Sequence, residues 1–385
     1  MSGPHLTRRT LMAGAVSLGI ACWDTPTAWG VPLPDRPRLV VIALDGGADG
    51  LSLAPPLADP AYAGLRGGLA VKEPLRLDSD FGLHPELRTF AELARAGQLR
   101  LAPAAASPSL SRSHFFEQDV LQSGLVDPRR ARSGWLNRAV GVLDPKGDLR
   151  AVAVGNGASL GTAGETPFVA TDAALDPNMA WRLTELYRGE PELLRLVAAG
   201  RAFSEMKTEV APPETSEPEE VKGARLAGRL LAAPDGPSAA FLTLGGYDTH
   251  VGQGGDQGVL GARLAVLDAV LAALKAETGD AWARTAVLVF TEFGRTVRPN
   301  GAGGTDHGAA GTAFLAGGAV RTGGLLGDWP TLSRLHEGRD LPPGLDLRSL
   351  FKGVLSEHWG LNRRVLEEDV FPGSQGAPAL SGLIA

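Results

Sequence analysis

The chain has 385 residues, of which 44% are apolar and 21% are charged, and its formal net charge at pH 7 is −6. These proportions are typical of a globular protein, and the acidic balance argues against nucleic acid or an anionic membrane surface as a partner. The length allows two or three average domains, although a single large α/β domain can also reach this size.

The first 30 residues predict an export signal rather than part of the fold. Arg8 and Arg9 precede an apolar run, Leu11–Cys22, that is too short to span a bilayer as a mature helix. This layout is typical of a twin-arginine signal peptide, which the Tat export machinery recognises. Small residues at positions 28 and 30 predict cleavage after Gly30, which would make the mature chain periplasmic or secreted, with no transmembrane segment.

Cys22 is the only cysteine of the chain. If cleavage follows Gly30, the mature protein has no disulfide, no thiolate metal site and no cysteine nucleophile. A lipid anchor on Cys22 is the alternative, but Gly19 stands where such a signal usually has leucine.

Arg38–Leu44 is the first predicted strand, and its continuous apolar run is typical of a strand buried on both faces of a parallel sheet. The strand leads into a glycine-rich loop that contains Asp45 and Asp49. Glycine permits sharp turns and a close approach of the backbone to a ligand, so either aspartate is a candidate metal ligand. The alternative is an Asx-type turn with solvated carboxylates.

Residues 54–80 are rich in proline, glycine and aspartate and predict surface loops, with a short hairpin over residues 69–77. His84 precedes a helix predicted over Glu86–Ala96, where it either neighbours the helix cap or belongs to a site. Gln98–Ala105 predicts the next strand.

A serine-rich segment, residues 107–114, precedes a helix predicted over Phe115–Gln122. Serines at a helix start are usually N-terminal caps, but the free amide groups there also form an anion site. A hydroxyl held beside Arg112 and His114 is placed like the nucleophile of a phosphoryl- or sulfuryl-transfer enzyme. Ser113 and Ser111 are therefore candidate catalytic residues, with capping as the alternative.

The remaining elements alternate along the chain. Helices are predicted over residues 133–143, 180–203, 224–233, 260–274 and 346–359, and strands over residues 151–154, 168–170 and 312–316. Residues 205–221 are acidic and proline-rich and predict a mobile surface loop. Alternating helices and strands are typical of βαβ units on a mostly parallel sheet. We therefore predict a signal peptide over residues 1–30 and a single α/β domain over residues 31–385.

Ser238–Leu244 predicts another strand, and the loop that follows it contains Asp248 and His250. A carboxylate oxygen and an imidazole nitrogen two residues apart are both ligands that zinc accepts. In open α/β sheets, the ligand crevice lies outside the carboxyl ends of the strands. This loop therefore predicts a metal site at the sheet edge.

The apolar run Ala286–Phe290 predicts a further buried strand with the same layout. Polar chemistry follows it at Glu292 and Arg295 and, after a glycine-rich loop, at Asp306 and His307. The chain has seven histidines, and two of them lie in strand-end loops beside an aspartate. We expect a divalent metal, zinc, calcium or manganese, with these candidate ligands: Asp45, Asp49, Asp248, His250, Glu292, Asp306 and His307.

Several motifs, in order along the chain, resemble the bacterial family catalogued as domain of unknown function 1501. They are LDGGADGL, SRSHFFEQD, GGYDTH, TEFGRT, GGTDHG and LGDWP, behind a twin arginine. That family is grouped with the alkaline phosphatase and sulfatase superfamily, and the resemblance covers nearly the whole mature chain. It implies an alkaline phosphatase-like α/β fold, a mostly parallel sheet flanked by helices on both faces, with a divalent metal site at the strand ends.

The resemblance also assigns places to the candidate residues, and the chain departs from the superfamily pattern near Glu292. The superfamily has an Asp-His pair where this chain has Glu292 and Phe293, so one imidazole ligand is missing. The fixed cation of Arg295 is expected where a second metal would lie. The cysteine motif that sulfatases oxidise is absent from the sequence.

We therefore predict an exported metal-dependent hydrolase of a phosphate or sulfate ester, acting on a small molecule or a glycan. The metal polarises the ester and lowers the pKa of the Ser113 hydroxyl, while Arg112 and Arg295 hold the nonbridging oxygens. One alternative is a non-catalytic metal- or glycan-binding protein of the cell envelope on the same fold. Another is a structural envelope protein without a site.

Overall fold

The structure is a computed structural model that describes residues 36–143, 151–154, 159–166, 168–170, 177–210, 215–234 and 236–385. The predicted signal peptide, with its twin arginine and Cys22, lies outside these residues. In the part of the chain that is described, no helix is both long enough and apolar enough to cross a membrane.

Ten strands form two sheets in the described residues. The strands are β1 (Arg38–Leu44), β2 (Leu75–Arg76), β3 (Gly82–Leu83), β4 (Leu99–Ala106), β5 (Ala151–Val154), β6 (Phe168–Ala170), β7 (Ala239–Leu244), β8 (Thr285–Thr291), β9 (Gly311–Ala316) and β10 (Leu345–Asp346). Eight of them form the main sheet in the order β10-β4-β9-β8-β1-β7-β5-β6, and β2 pairs with β3 in a small separate sheet.

The helices lie mostly between these strands along the chain, and the last two follow β10. They are α1 (Gly50–Leu53), α2 (Tyr62–Arg66), α3 (Arg88–Arg95), α4 (His114–Ser123), α5 (Trp135–Leu143), α6 (Pro177–Leu186), α7 (Pro191–Val210), α8 (Glu219–Ala232), α9 (Val259–Thr278), α10 (Leu347–Trp359) and α11 (Arg363–Val365). Short 3₁₀ turns occur at Gly67–Leu69, Pro128–Arg130, Leu160–Thr162 and Gly279–Arg284, and a π-helical turn occurs at Leu366–Val370.

The main sheet is mostly parallel, as the sequence predicts. Strand β9 runs antiparallel to both of its neighbours, β4 and β8, whereas the other pairs of the main sheet are parallel. No crossover helix separates β8 from β9, and adjacent strands joined without a crossover pair antiparallel. Strands β1, β4, β7 and β8 therefore share a direction, and their carboxyl ends lie at one edge of the sheet.

The sheet separates two hydrophobic cores, which explains the unbroken apolar run of β1. Leu39 and Val41 pack in a core with side chains of α4, α5 and α10, and Val40 and Ile42 pack in the opposite core with α3, α8 and α9. Every residue of β1 is buried. Full burial of such an aliphatic side chain contributes roughly 1.5–3 kcal/mol relative to exposure, so the register of this central strand is strongly specified. The predicted fold class, an α/β sheet covered by helices on both faces, is confirmed.

The acidic segment corrects one prediction. Residues 180–203 were expected to form one helix followed by a loop over residues 205–221, but the chain forms two helices there, and the second continues to Val210. The next helix already begins at Glu219. Glutamate, methionine and lysine are good helix formers, and Pro191 at the first position of α7 suits a helix start, so local propensity outweighs the acidic composition.

Candidate metal centre at the strand ends

Three imidazole groups converge on the carboxylate of Asp248. Its Oδ1 atom accepts a hydrogen bond from Arg295 Nη1 at 2.6 Å and lies 2.9 Å from His250 Nε2 and 3.2 Å from His307 Nε2. Its Oδ2 atom lies 3.4 Å from His114 Nε2. The four groups come from three segments that are distant in sequence and that meet in the fold.

The sheet edge positions these segments. His114 is the first residue of α4, which follows β4, whereas Asp248 and His250 follow β7, and His307 lies in the loop between β8 and β9. The last two loops pair directly, because the Thr305 N–H donates to the Thr249 carbonyl at 3.1 Å. The placement agrees with the expectation that polar residues at parallel strand ends meet at one edge.

Two glycines allow the loops to approach so closely. Gly46, just after β1, has φ +122°, and a Cβ atom added to it would lie 2.4 Å from the Asp248 backbone nitrogen. A Cβ atom on Gly304 would lie 2.3 Å from the carbonyl carbon of His250. Neither position can hold a side chain without displacing the loop that carries Asp248 and His250.

In each of the three imidazoles, Nδ1 faces an oxygen that accepts hydrogen bonds. These acceptors are Glu292 Oε1 at 2.8 Å for His114, Asp306 Oδ1 at 3.1 Å for His250 and the Arg112 carbonyl at 2.9 Å for His307. An Nδ1–H group in each ring can donate to that oxygen, and in this tautomer of the neutral ring Nε2 carries the lone pair. Metal-ligating histidines typically donate their other ring N–H to a carboxylate or a backbone carbonyl in this way.

The positions of the Nε2 atoms favour a bound metal ion. His250 Nε2 and His307 Nε2 lie 3.0 Å apart, and two lone pairs at that distance repel unless a proton or a cation lies between them. His114 Nε2 is buried and has no hydrogen-bond partner among the described residues. His114, Asp248 and His307 offer ligand atoms that all lie within 4.8 Å of one another, and this nitrogen and oxygen donor set suits zinc.

The charges of the cluster support one another. A hydrogen bond to Glu292 raises the pKa of His114, against the opposing effect of burial. Burial opposes ionisation of Glu292, but hydrogen bonds from His114 and the Gly46 N–H outweigh it and lower the pKa of Glu292. Burial likewise opposes ionisation of Asp248, where the Arg295 guanidinium outweighs it and lowers the pKa. Both carboxylates are therefore held in the charged form.

Glu292 lies behind His114 instead of facing the other ligand atoms. Its side chain is 2% exposed, and its Oε1 atom accepts from the Gly46 N–H at 2.8 Å as well as from His114. Its Oε2 atom accepts from the Thr291 hydroxyl at 2.8 Å. The sequence predicts Glu292 as a ligand, whereas these contacts place its carboxylate behind His114, where it would orient that imidazole.

Asp306 has the corresponding place behind His250. Its Oδ1 atom also accepts from Asn300 Nδ2 at 3.0 Å, and that hydrogen bond, followed by the one from His250, lowers the pKa of Asp306. The side chain of Asp306 is 55% exposed, so solvent screens this pair more strongly than it screens the buried pair of Glu292 and His114.

Asp49 lies in a different, fully buried network. Its carboxylate is 1% exposed and forms an ion pair with Arg66, and it accepts from the Ser52 hydroxyl at 2.8 Å and from Gln253 Nε2 at 2.5 Å. None of these bonds involves the histidine cluster. Asp49 is thus paired with a buried cation, which differs from the ligand role that the sequence suggests. His84 is structural as well, because its Nε2 atom bonds the Gly255 carbonyl at 2.9 Å.

The Arg295 guanidinium is engaged within the protein. Its side chain is 0% exposed, and besides Asp248 it contacts the Thr305 hydroxyl from Nε at 3.1 Å and the Thr305 carbonyl from Nη2. It faces the interior of the loops, so it does not take the expected position against substrate oxygens. Its position beside Asp248 fixes that carboxylate instead.

Arg112 is also paired within the protein. Its guanidinium contacts Glu337 at 2.6 Å and the buried Asp340 at 2.7 Å, and its carbonyl accepts from His307 Nδ1. The sequence predicts that Arg112 holds substrate oxygens, whereas in the structure it anchors the serine-rich loop and orients one imidazole.

The serine-rich loop is organised around Glu117, a fully buried carboxylate of α4. Glu117 accepts hydrogen bonds from the Ser107 and Ser109 hydroxyls and from the Ser111 N–H. Arg112 has φ 59°, in the left-handed region that bulky residues rarely adopt. These contacts hold the loop in a defined path to the start of α4.

Ser113 and Ser111 differ in what their hydroxyl groups do. Ser113 is the N-cap residue of α4, yet its side chain makes no capping hydrogen bond, and the residue is exposed. The Ser111 hydroxyl accepts from the Ser113 N–H at 3.3 Å. The capping alternative therefore does not apply to Ser113, whose hydroxyl is available next to His114.

A cavity of about 380 Å³ adjoins the metal centre. Asp45, at the end of β1, lines it together with Phe115 and Gln118 of α4, and Gln118 Nε2 also donates to Glu292 Oε1 at 3.3 Å. Burial, with a further contribution from the negative charge of Glu292, raises the pKa of Asp45 to about 7. Asp45 thus borders the cavity and also lies close enough to Glu292 and His114 for their charges to act on it.

Sequence reasoning gave His114 a catalytic place beside the serines and did not include it among the metal ligands. It also gave no role to Phe115 or Gln118. The signal available in the sequence was the position of His114 directly after Ser113 at a helix start that follows a strand. Such a histidine reaches the sheet edge in the same way as one in a strand-end loop.

The fold and the histidine cluster define an α/β protein with a candidate metal centre at the carboxyl ends of its strands. The profile of the family described as "Protein of unknown function (DUF1501)" matches residues 99–370. The chain belongs to this family, as its motifs predict. A search of curated protein sequences finds no match.

The chain is similar to several solved structures at low sequence identity. A putative sulfatase from Bacteroides thetaiotaomicron is 11% identical with a TM-score of 0.40, and 90% of this chain and 74% of that chain are covered. An alkaline phosphatase superfamily protein from Vibrio parahaemolyticus is 12% identical with a TM-score of 0.38, covering 84% and 72%. The periplasmic domain of EcEptC from Escherichia coli, in complex with Zn, is 10% identical with a TM-score of 0.38, covering 74% and 73%.

Proposed function

We propose that this protein is a metal-dependent hydrolase of a phosphate or sulfate ester. The observation that carries the proposal is the convergence of three Nε2 atoms on Asp248, with one of the three histidines, His114, directly following Ser113, whose hydroxyl makes no capping hydrogen bond. A metal ligand set beside a free hydroxyl at a helix start combines the two groups that ester hydrolysis through a covalent intermediate needs.

In this proposal, His114, His250, His307 and Asp248 hold one divalent metal ion. The bound ion supplies Lewis acidity toward an ester oxygen and lowers the pKa of a nearby hydroxyl group. The fit depends on the buried, unpartnered His114 Nε2 and on the close approach of the other two Nε2 atoms.

The surrounding groups act on the ligands. Glu292 and Asp306 each accept from an Nδ1–H and so keep the opposite nitrogen free to donate its lone pair. Arg295 fixes one oxygen of Asp248, which leaves the other oxygen directed at His114. Removal of any of these three groups should weaken metal binding without removing a ligand.

Ser113 is the proposed nucleophile. The Oγ atom of Ser113 forms a bond to the phosphorus or sulfur atom of the ester, while the bond between that phosphorus or sulfur atom and the ester oxygen breaks. The serine proton leaves with the departing alcohol. Water then cleaves the serine ester, which releases phosphate or sulfate and restores the hydroxyl. Ser111 is the less suitable candidate because its hydroxyl already accepts from the Ser113 N–H.

Hydrolysis of p-nitrophenyl phosphate and p-nitrophenyl sulfate by the zinc-loaded protein tests the proposal. We expect turnover that EDTA abolishes, a loss of several orders of magnitude in Ser113→Ala, and retention of activity in Ser111→Ala. Ser113→Ala should keep the wild-type metal content. Wild-type turnover in a metal-loaded Ser113→Ala variant would exclude Ser113 as the nucleophile.

A non-catalytic metal- or glycan-binding protein is the second candidate. The observation in its favour is that Arg112 and Arg295, which were expected to hold substrate oxygens, are both committed to carboxylates of the protein. Such a protein would bind zinc and phosphate but would hydrolyse neither p-nitrophenyl phosphate nor p-nitrophenyl sulfate. Export through the Tat machinery to the periplasm or the medium completes either proposal and rests on the twin arginine of residues 1–30.

A further inference from the structure

We propose that the cavity beside the metal centre binds the alcohol part of the ester, and that this part is a sugar. The inference rests on the proposed hydrolase function, because it assigns the group to which the phosphate or sulfate is attached. Its basis is the position, the size and the lining chemistry of the cavity.

The cavity is placed to hold a group attached to the reacting ester. Phe115 and Gln118 line it from the first turns of α4, the helix that begins at His114 and is preceded by Ser113. Gln118 also bonds Glu292, the residue that orients His114. The cavity therefore lies along the first turns of the helix whose start carries the proposed nucleophile and one candidate metal ligand.

The size of the cavity suits a small ring. Its volume of about 380 Å³ lies at the lower end of the range of small-molecule sites, about 300–1,000 Å³. One sugar unit is compatible with this space, whereas an extended polymer would have to leave through the open side.

The lining disfavours an anion and favours hydroxyl groups. Two carboxyl side chains, Asp45 and Asp119, line the cavity, and no lysine or arginine is among its lining residues, so no positive charge in the lining attracts a phosphate or sulfate group. The carboxyl oxygens can accept hydrogen bonds from hydroxyl groups, and the side-chain amides of Gln118 and Gln122 can both accept and donate. The anion therefore belongs at the metal centre, and a hydroxyl-rich, uncharged group belongs in the cavity.

Phe115 supplies the apolar contact that a sugar ring needs. Its side chain is 83% exposed although it lies at the rim of a polar cavity, and large apolar side chains are usually covered. One face of a pyranose carries C–H groups, which pack on the negative face of an aromatic ring. A contact of this kind is worth up to about tenfold in affinity. A small amino alcohol would meet the carboxyl groups but would cover less of the Phe115 ring than a pyranose does.

Binding to the zinc-loaded Ser113→Ala protein, which should not turn over esters, tests the inference by calorimetry. The probes are the 6-phosphates of glucose, galactose, mannose and N-acetylglucosamine, with ethyl phosphate and phosphoethanolamine as esters that lack a ring. At least one hexose phosphate should bind roughly tenfold more tightly than ethyl phosphate. Adding Phe115→Ala should remove this gain, and Phe115→Trp should keep it, while ethyl phosphate affinity and metal content stay unchanged.

Trp181→Ala is the matched control, because Trp181 is another exposed aromatic residue, 66% exposed, on α6. It should leave the preference for the hexose phosphate intact. The inference is overturned if no hexose phosphate binds better than ethyl phosphate, if phosphoethanolamine binds best, or if the gain survives in Phe115→Ala.

A second experiment distinguishes failure of the sugar site from failure of the proposed hydrolase function. Saturation-transfer NMR with the four free hexoses does not require a metal, a phosphate or turnover. If the protein binds no zinc and hydrolyses no ester but shows a hexose signal that Phe115→Ala removes, the hydrolase proposal fails and the sugar site stands. If zinc and ester turnover are present and no hexose signal depends on Phe115, the sugar site fails alone.

Discussion

Replacement of Glu292 by glutamine tests whether a buried carboxylate positions a metal ligand. The Glu292 side chain is 2% exposed, and its Oε1 atom accepts from His114 Nδ1 and from the Gly46 N–H, both at 2.8 Å. Glutamine has the same size but no charge, and its NH₂ group cannot accept. The amide oxygen can still accept from His114, but this bond is neutral, so the variant loses the charge assistance that favours the proton on Nδ1 and the lone pair on Nε2.

The magnitude follows from the type of bond that is lost. A hydrogen bond to a charged group contributes about 1.5–3 kcal/mol, and loss of a residue that orients a metal ligand typically costs about 10–100-fold in metal affinity. We expect zinc affinity to fall by roughly 10–100-fold at pH 8. Because Glu292 raises the pKa of His114, a proton competes with the metal in wild type at pH 6 more than in the variant. The defect should therefore be smaller at pH 6.

Competition of each protein with a fluorescent zinc chelator at pH 6 and pH 8 measures this effect, and thermal unfolding verifies the fold. Glu277→Gln is the control, because Glu277 forms ion pairs with Arg225 and Arg229, away from the cluster. Its zinc affinity should equal that of wild type. A folded Glu292→Gln variant with wild-type zinc affinity at pH 8 would refute the orienting role and leave Glu292 as a brace of the loop.

Three further predictions concern the loop, the core and export. Gly46→Ala should reduce zinc binding, because a Cβ atom there would lie 2.4 Å from the Asp248 backbone nitrogen. Gly301→Ala is the control, because no atom lies within 4 Å of its added Cβ, and it should not change zinc binding. Equal zinc affinity in both variants would contradict the predicted clash. Burial lowers the pKa of His358 to about 4, so the unfolded chain binds a proton that the folded chain does not, and stability is lost as pH falls from about 6.5 towards 4. Urea unfolding at pH 7 and pH 5 should show this loss, about 2 kcal/mol from this group, reduced in His358→Gln; an unchanged difference would exclude His358 as its source. Replacing both twin arginines by lysine should leave a full-length precursor in the cytoplasm on immunoblots, and normal maturation would contradict the Tat prediction.

Most of the sheet could be predicted from the sequence because its strands are unmistakable. The run Arg38–Leu44 is apolar at nearly every position, and only a strand covered on both faces can bury such a run without exposing part of it. The antiparallel direction of β9 could not be predicted from its own residues. Direction depends on the connection, and the missing crossover helix before β9 is visible only once the loop over residues 292–310 is seen to return directly.

The sequence by itself determined which segments meet at the candidate site. Parallel strands end at a common edge, so residues that follow different strands, such as Asp248 and His307, were expected to lie together, and in the structure they do. The sequence also determined the ligand types, because carboxylates and imidazoles at strand ends limit the possible chemistry to a metal or an acid–base site.

Only the tertiary structure decided which groups face one another within that site. His114 and Glu292 are 178 positions apart, and nothing in their sequence spacing fixes which way the carboxylate points. Arg295 was expected to face a substrate, but a buried guanidinium needs a partner with the opposite charge, and the fold places the Asp248 carboxylate 2.6 Å from it. Side-chain direction is set by the whole packing environment, which the order of residues along one strand or loop does not contain.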